Sequence, residues 1–234
     1  MIALPCIAPA EVAQATANDG YFNRVRREIE PLLPRQATQV LEVGCGAGAT
    51  LHWLRASGRA LHTTGIEIAP RAAEIARTRV DHLLLGPVET QLEGLAPASF
   101  DLLLCLDVLE HLVDPWRVLR ALREKLKPGA MVIVSLPNVR HHQVLMPLLW
   151  RGQWRYQEAG LLDRTHLRFF GRQSARELLQ QAGLDIRAER STGHRPGDGD
   201  FWKNLLTLGA LSDFFTWQFL LSATRTDPTV GGTQ

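Results

Sequence analysis

The stretch VLEVGCGAGAT, Val40 to Thr50, decides how the chain is read. An apolar run broken only by Glu42 is followed by glycines at every second position, Gly44, Gly46 and Gly48. Glycine weakens a strand, because it has no side chain to pack and loses the most backbone entropy on ordering. A chain accepts that cost where it must turn tightly or let a ligand approach its backbone. Either use points to a bound small molecule.

The surrounding sequence supplies the frame for such a site. Apolar runs alternate with helical patterns. TQVLEVG predicts a strand and TLHWLRAS a helix; ALHTTGIEI predicts a second strand and APRAAEIARTRV a helix with Pro70 in its first turn. DHLLLG and FDLLLCLDV predict two more strands, DPWRVLRALREKL a helix capped by Asp114, and KPGAMVIVSLPN a turn and a fifth strand. Near-continuous apolar strands separated by helices imply an α/β fold with a parallel sheet covered on both faces. Ahead of them, YFNRVRREIEPLLP carries Phe22, Val25, Ile29 and Leu32 at helical spacing and predicts a helix ended by Pro34. Beyond Asn138 the pattern turns irregular and rich in histidine, arginine and tryptophan. RQSARELLQQAG then predicts a helix, LDIRAERS a sixth strand and TWQFLLSATR a last one.

Composition narrows the classes. The 234 residues are 45% hydrophobic and 21% charged with a net charge of +2, so nothing marks a nucleic-acid-binding surface. Cys6, Cys45 and Cys105 form no disulfide or metal pattern, which favours a reducing compartment and a cytoplasmic protein. No apolar run reaches the roughly 18 residues of a membrane span. The expected organisation is a mobile lead-in over 1–20, one domain over 21–226 and a flexible tail over 227–234. Inserts are expected on the acceptor side at about 138–171 and again at about 193–215.

A strand, glycine turn and helix form a nucleotide-type site, with turn amides and a helix N-terminus facing the ligand. GCGAGA also satisfies the dinucleotide form G-x-G-x-x-G/A, and Glu67, about 20 residues on, suits a ribose in either case. Glu42 separates the two ligands. A carboxylate just ahead of the turn attracts a ligand ammonium group and repels a pyrophosphate. The polar residues of CLDVLEHL, at the end of the fourth strand, add groups beside the ligand.

On these residues the chain resembles the class I S-adenosylmethionine (SAM)-dependent methyltransferases. VLEVGCGAGAT, GIEIAP, FDLLLCLDVLEHLVDP and LKPGAMVIVSLPN match in order and spacing over about 21–136. GLLDRTHLRFFGRQSARELLQQAGL resembles a subgroup associated with glycosyltransferases, and ubiquinone-pathway O-methyltransferases. The resemblance implies a Rossmann-like sheet of seven strands, order 3-2-1-4-5-7-6, the last antiparallel. It implies that Gly44, Cys45, Gly46 and Gly48 line the methionine part of SAM with Glu42 nearby. Glu67 then holds the ribose, Ile68 and Val88 lie by the adenine, and Leu106 and Asp107 border the sulfonium. Pro87 stands where the family commonly has an aspartate toward the adenine amine.

The expected reaction is O-methylation of a small molecule or glycan intermediate. An O-acceptor is helped by a general base, and histidine is the usual one. His111, His141, His142 and His166 follow strand ends or lie in the irregular segment; His52, His62 and His82 fall in core-type patterns. The catalytic candidates are therefore His111, His166 and Asp107. Asp107, Glu110 and His111 also resemble the acidic-x-x-Glu-His cluster of some small-RNA 2′-O-methyltransferases and ubiquinone-pathway enzymes, with His166 in the place of a further histidine. That resemblance implies a divalent metal on Asp107, Glu110, His111 and His166, although Asp107 is shorter than the glutamate of the pattern. Metal-free use of His111 or His166 is the favoured reading. Trp150, Trp154 and Tyr156 suggest an aromatic wall for an acceptor or the packing of an inserted lid. Two rivals stay open: an NAD-linked oxidoreductase, and a non-catalytic SAM-binding partner of a glycosyltransferase.

Overall fold

The computed structural model describes residues 19–193 and 208–226, with Trp202, Asn204 and Leu206 between them. All but the last two residues of the expected lead-in, nearly all of the glycine-rich loop and the C-terminal tail lie outside the described residues.

Seven strands form one sheet in the order β3-β2-β1-β4-β5-β7-β6. They are β1 (Ala37–Val43), β2 (Ala60–Glu67), β3 (His82–Leu85), β4 (Phe100–Leu106), β5 (Leu126–Pro137), β6 (Leu184–Ser191) and β7 (Gln218–Arg225). The first five pair in parallel, and β7 runs antiparallel to both β5 and β6. The strand order reverses between β1 and β4, so the carboxyl ends of those two strands open onto the crevice where ligands bind such sheets.

The central strands are apolar along both faces because both are covered. One core gathers Leu41, Val43, Leu103 and Cys105 with Leu119 and Leu178 from the helices Pro115–Lys125 and Arg172–Gln181. The other gathers Val40, Leu102 and Leu104 with Leu51 and Leu54 from the helix Ala49–Ala56. Asp114 caps the helix Pro115–Lys125 as expected, accepting from the Arg117 amide.

Three local expectations fail. YFNRVRREIEPLLP is not one helix: a turn at Asp19–Phe22 breaks off, and a 3₁₀ helix follows over Arg27–Leu32 with Pro31 inside it. Proline lacks the amide that an α-helix interior needs, and its ring crowds the preceding turn. The segment beyond Asn138 is partly regular, with a helix over His142–Arg151. His52, His62 and His82 are exposed, not core residues, because their positions on helix and strand face water.

Candidate active site

The glycine turn is held against β2. The amides of Gly44 and Cys45 both donate to the Ile66 carbonyl, at 2.8 and 3.1 Å. Gly44, Gly46 and Gly48 all have positive φ, at 70, 55 and 72°. That backbone is nearly free for glycine and strained for other residues. The Cys45 side chain turns inward over Gly65 of β2, where any Cβ would lie 2.5 Å from its Sγ. The Cys45 side chain is thus turned away from the ligand side, and the absence of a side chain at Gly65 makes room for it.

Two buried carboxylates flank the turn. Glu67, at the end of β2, accepts from the Gly46 amide at 2.7 Å and the Ala69 amide at 2.8 Å. Burial raises its pKa, and the amides of Ala69, Gly46 and Ile68 oppose that rise. Glu42 is 3% exposed, and its Oε2 has no hydrogen-bond partner. Burial pushes its pKa up to about 8, against the pull of Arg26 and with a further push from Glu67. A buried carboxyl lacking a donor costs stability unless a ligand supplies one. An ammonium group meets that need. Val88 opens the helix beyond β3 and packs with Ile66, while the Gly86 amide donates to the Glu67 carbonyl at 2.9 Å. This pairing brings Ile68 and Val88 to the same sheet edge. Leu106 is buried at the end of β4, beside the turn.

A segment with no signal in the sequence crosses this turn. The Ala47 amide donates to the Phe22 carbonyl at 3.0 Å, and the Arg26 amide to Thr50 Oγ1 at 3.2 Å. The Arg26 guanidinium enters the site and pairs with Asp107 Oδ2 at 2.8 Å and Glu28 Oε1 at 2.5 Å. Burial works against its charge, but the Asp107 and Glu28 carboxylates outweigh that and raise its pKa. In NRVRREIE three arginines are interleaved with acidic and apolar residues. Such a run reads as a solvated helix face, and no local signal singles out Arg26.

Asp107 has a left-handed backbone, φ 55°. It also accepts from Ser135 Oγ at 2.5 Å and Gln218 Nε2 at 2.8 Å. Both of its oxygens are thus taken up.

The structure brings Glu110, His111 and His166 together, their ligand atoms within 4.8 Å of one another. Asp107 is not in this group, so the four-residue metal set reduces to three. The Leu167 and Arg168 amides donate to the Glu110 carbonyl at 2.8 and 3.0 Å, which ties the segment carrying His166 to the one carrying Glu110 and His111. His111 Nδ1 lies 3.2 Å from the Thr165 carbonyl, and His166 Nδ1 3.3 Å from the Leu161 carbonyl. A carbonyl only accepts, and Thr165 Oγ1, 3.0 Å from His111 Nδ1, gives its own proton to Asp163 Oδ1 at 2.7 Å, so both contacts fit rings protonated at Nδ1 with a lone pair left at Nε2. Burial lowers both pKa values, which favours the neutral rings. His166 Nε2 stands 3.9 Å from Glu110 Oε1. Glu110 is 1% exposed, neither of its oxygens has a hydrogen-bond partner, and burial raises its pKa well above the ordinary range.

His141 caps the helix His142–Arg151 and packs edge-on against Trp217 at 5.1 Å. The aromatic wall does not form as one surface. Trp154 stacks edge-on against Phe169 in a small core with Val144, Leu161 and Leu162, while Trp150 and Tyr156 are exposed.

The comparisons agree with this geometry. Residues 18–189 match the model of a family described as a methyltransferase domain. The chain is a class I SAM-dependent methyltransferase. A ubiquinone biosynthesis O-methyltransferase of Cereibacter sphaeroides is 31% identical over 165 residues, 68% of this chain and 65% of that one. One of Albidiferax ferrireducens is 31% identical over 200 residues, 77% and 73% of the two chains. A SAM-dependent methyltransferase of Archaeoglobus fulgidus superposes with a TM-score of 0.65 at 14% identity, covering 89% of this chain and 95% of that one. The chain thus spans about two thirds of the length of the first of these relatives. As in its family, the methyltransferase takes SAM as its cofactor, and the NAD reading falls.

Proposed function

We propose that this methyltransferase moves the methyl group of SAM onto a hydroxyl of a small molecule, with the acceptor oxygen held at Glu110, His111 and His166. The observation that carries this reading is the convergence of two imidazoles on the buried Glu110 carboxyl, with ligand atoms within 4.8 Å of one another and His166 Nε2 3.9 Å from Glu110 Oε1. The relatives named as O-methyltransferases support the oxygen acceptor.

The glycine turn would hold the methionine end of SAM, with Glu42 toward its ammonium, Arg26 toward its carboxylate, Glu67 on its ribose, Ile68 and Val88 beside its adenine, and Leu106 and Asp107 beside its sulfur. Bound SAM would supply the activated methyl group and, as S-adenosylhomocysteine, the leaving group for in-line attack by the acceptor oxygen. His111 or His166 would take the hydroxyl proton at Nε2. Positioning the two reactants supplies much of the rate, and a general base contributes about 10²–10⁴-fold. Sugar hydroxyls of glycan intermediates belong to the same acceptor class. Among the described residues no helix is long and apolar enough to cross a membrane. The free buried Cys45 and Cys105 support a reducing, cytoplasmic setting.

The unpartnered Glu110 oxygens favour a second reading, in which a divalent cation sits on Glu110, His111 and His166. One carboxylate and two neutral imidazoles with their Nδ1 protons fixed are a fitting donor set for zinc or manganese. Such an ion would lower the pKa of an acceptor hydroxyl. Activity is expected to survive exhaustive chelator treatment if the histidines act alone. Loss in chelator with recovery on adding one divalent ion selects the cation instead. Full activity in both chelator and His166→Ala removes the cluster from the reaction.

A further inference from the structure

Three side chains from distant parts of the sequence converge on Asp107. Ser135 belongs to β5, where it is fully buried and sits opposite Leu106 in the register. Gln218 opens β7, the antiparallel strand, opposite Pro137. Arg26 comes from the segment that crosses the glycine turn. Ser135 donates to Oδ1, while Gln218 and Arg26 share Oδ2. Arg26 Nη2 also reaches Ser135 Oγ at 3.2 Å. The backbone of Asp107 is left-handed, so its carboxylate is aimed by these donors and not by a relaxed local conformation.

This arrangement is a relay. The strand residues fix the carboxylate, and the carboxylate fixes a guanidinium that would otherwise be a long, flexible cation at the mouth of the site. An arginine recognises a carboxylate best when its planar fork is pre-organised. We propose that Gln218 and Ser135 are positioning residues for the methionine carboxylate of the cofactor, acting through Asp107 upon Arg26. The inference rests on the assignment of Arg26 to that carboxylate. It explains why polar Gln218 starts a strand whose next five residues are all buried. It also gives β7 a part in cofactor binding, although β4 and β5 separate β7 from the strand that leads into the glycine turn.

The test compares two ligands by calorimetry on the full-length protein. S-adenosylhomocysteine carries the amino-acid carboxylate; 5′-methylthioadenosine keeps the adenosine and the thioether but lacks it. Residues in one hydrogen-bond network couple strongly enough for Gln218→Leu and Ser135→Ala each to weaken S-adenosylhomocysteine by about fivefold. Both should leave methylthioadenosine within about twofold, given that coupling stays within the network. Arg26→Met should show the same selectivity with a larger loss, and adding Gln218→Leu to it should change nothing further. If Gln218→Leu and Ser135→Ala weaken both ligands alike, or neither, the relay is wrong. Selectivity in Arg26→Met alone overturns the relay and keeps Arg26 at the carboxylate. An Arg26→Met variant that fails to discriminate overturns that assignment and the relay with it. Ser135→Ala removes a single oxygen, so it keeps the test alive should Gln218→Leu fold poorly.

Discussion

Gly46→Val is expected to abolish measurable SAM binding, a loss of at least a hundredfold, while the far-ultraviolet circular dichroism of the fold persists. Three effects act together. Gly46 has φ 55°, which a β-branched residue adopts only at a cost of about 1–3 kcal/mol. Its Cβ would lie 3.0 Å from the Phe22 carbonyl, so the backbone that leads to Arg26 must give by a few tenths of an ångström. The Gly46 amide would also lose its alignment with Glu67 at 2.7 Å. Each loss falls on the cofactor side of the sheet edge, and the cores on the two faces are untouched. Gly46→Ala should have the same sign with a smaller magnitude. Calorimetry with SAM reads the effect. Retained binding in Gly46→Val would mean that the cofactor does not lie against this turn.

Removing both imidazoles is the second large effect. The double variant His111→Ala with His166→Ala is expected to lose about 10²–10⁴-fold in methyl transfer. Its affinity for S-adenosylhomocysteine should stay within about twofold, because neither ring is part of the turn that receives the cofactor. The two rings stand edge-on with centroids 4.8 Å apart, so either can serve the same acceptor. Each single variant leaves one of them and should keep more activity than the double. His166 is nearly buried, so His166→Gln, which keeps most of the bulk, serves as a control for lost packing. Single-turnover rates beside binding constants separate chemistry from cofactor affinity. An undiminished rate in the double variant would move the acceptor elsewhere.

The parts of this molecule that were legible in the sequence are those where chemistry and periodicity coincide over a few residues. VLEVGCGAGAT joins an apolar strand to a left-handed turn, and only glycine serves at 44, 46 and 48 without strain. The strands on either side are buried on both faces and so read as apolar runs. The strand order and the reversed β7 followed from resemblance to a family and not from any local pattern. The site was legible in pieces. Glu110 and His111 are neighbours, and His166 is set in a distinctive polar stretch. Their convergence depends on amides of Leu167 and Arg168 meeting the Glu110 carbonyl, a contact that no composition encodes. Spacing alone groups Asp107 with them. Its partners Arg26, Ser135 and Gln218 come from three other elements, and so its engagement was invisible. The failed N-terminal helix has the same origin: helical spacing of apolar residues persisted through a proline, and the proline decided the outcome.

The proposed reaction leaves the methyl group on oxygen, and SAM carbon-13-labelled in its methyl group tests this with a panel of phenolic and sugar acceptors and carbon NMR of the product. A labelled methoxy resonance is expected, absent in the double histidine variant and accompanied by one equivalent of S-adenosylhomocysteine. A labelled methyl on nitrogen or carbon, or methoxy product formed at full rate by the double variant, would contradict it.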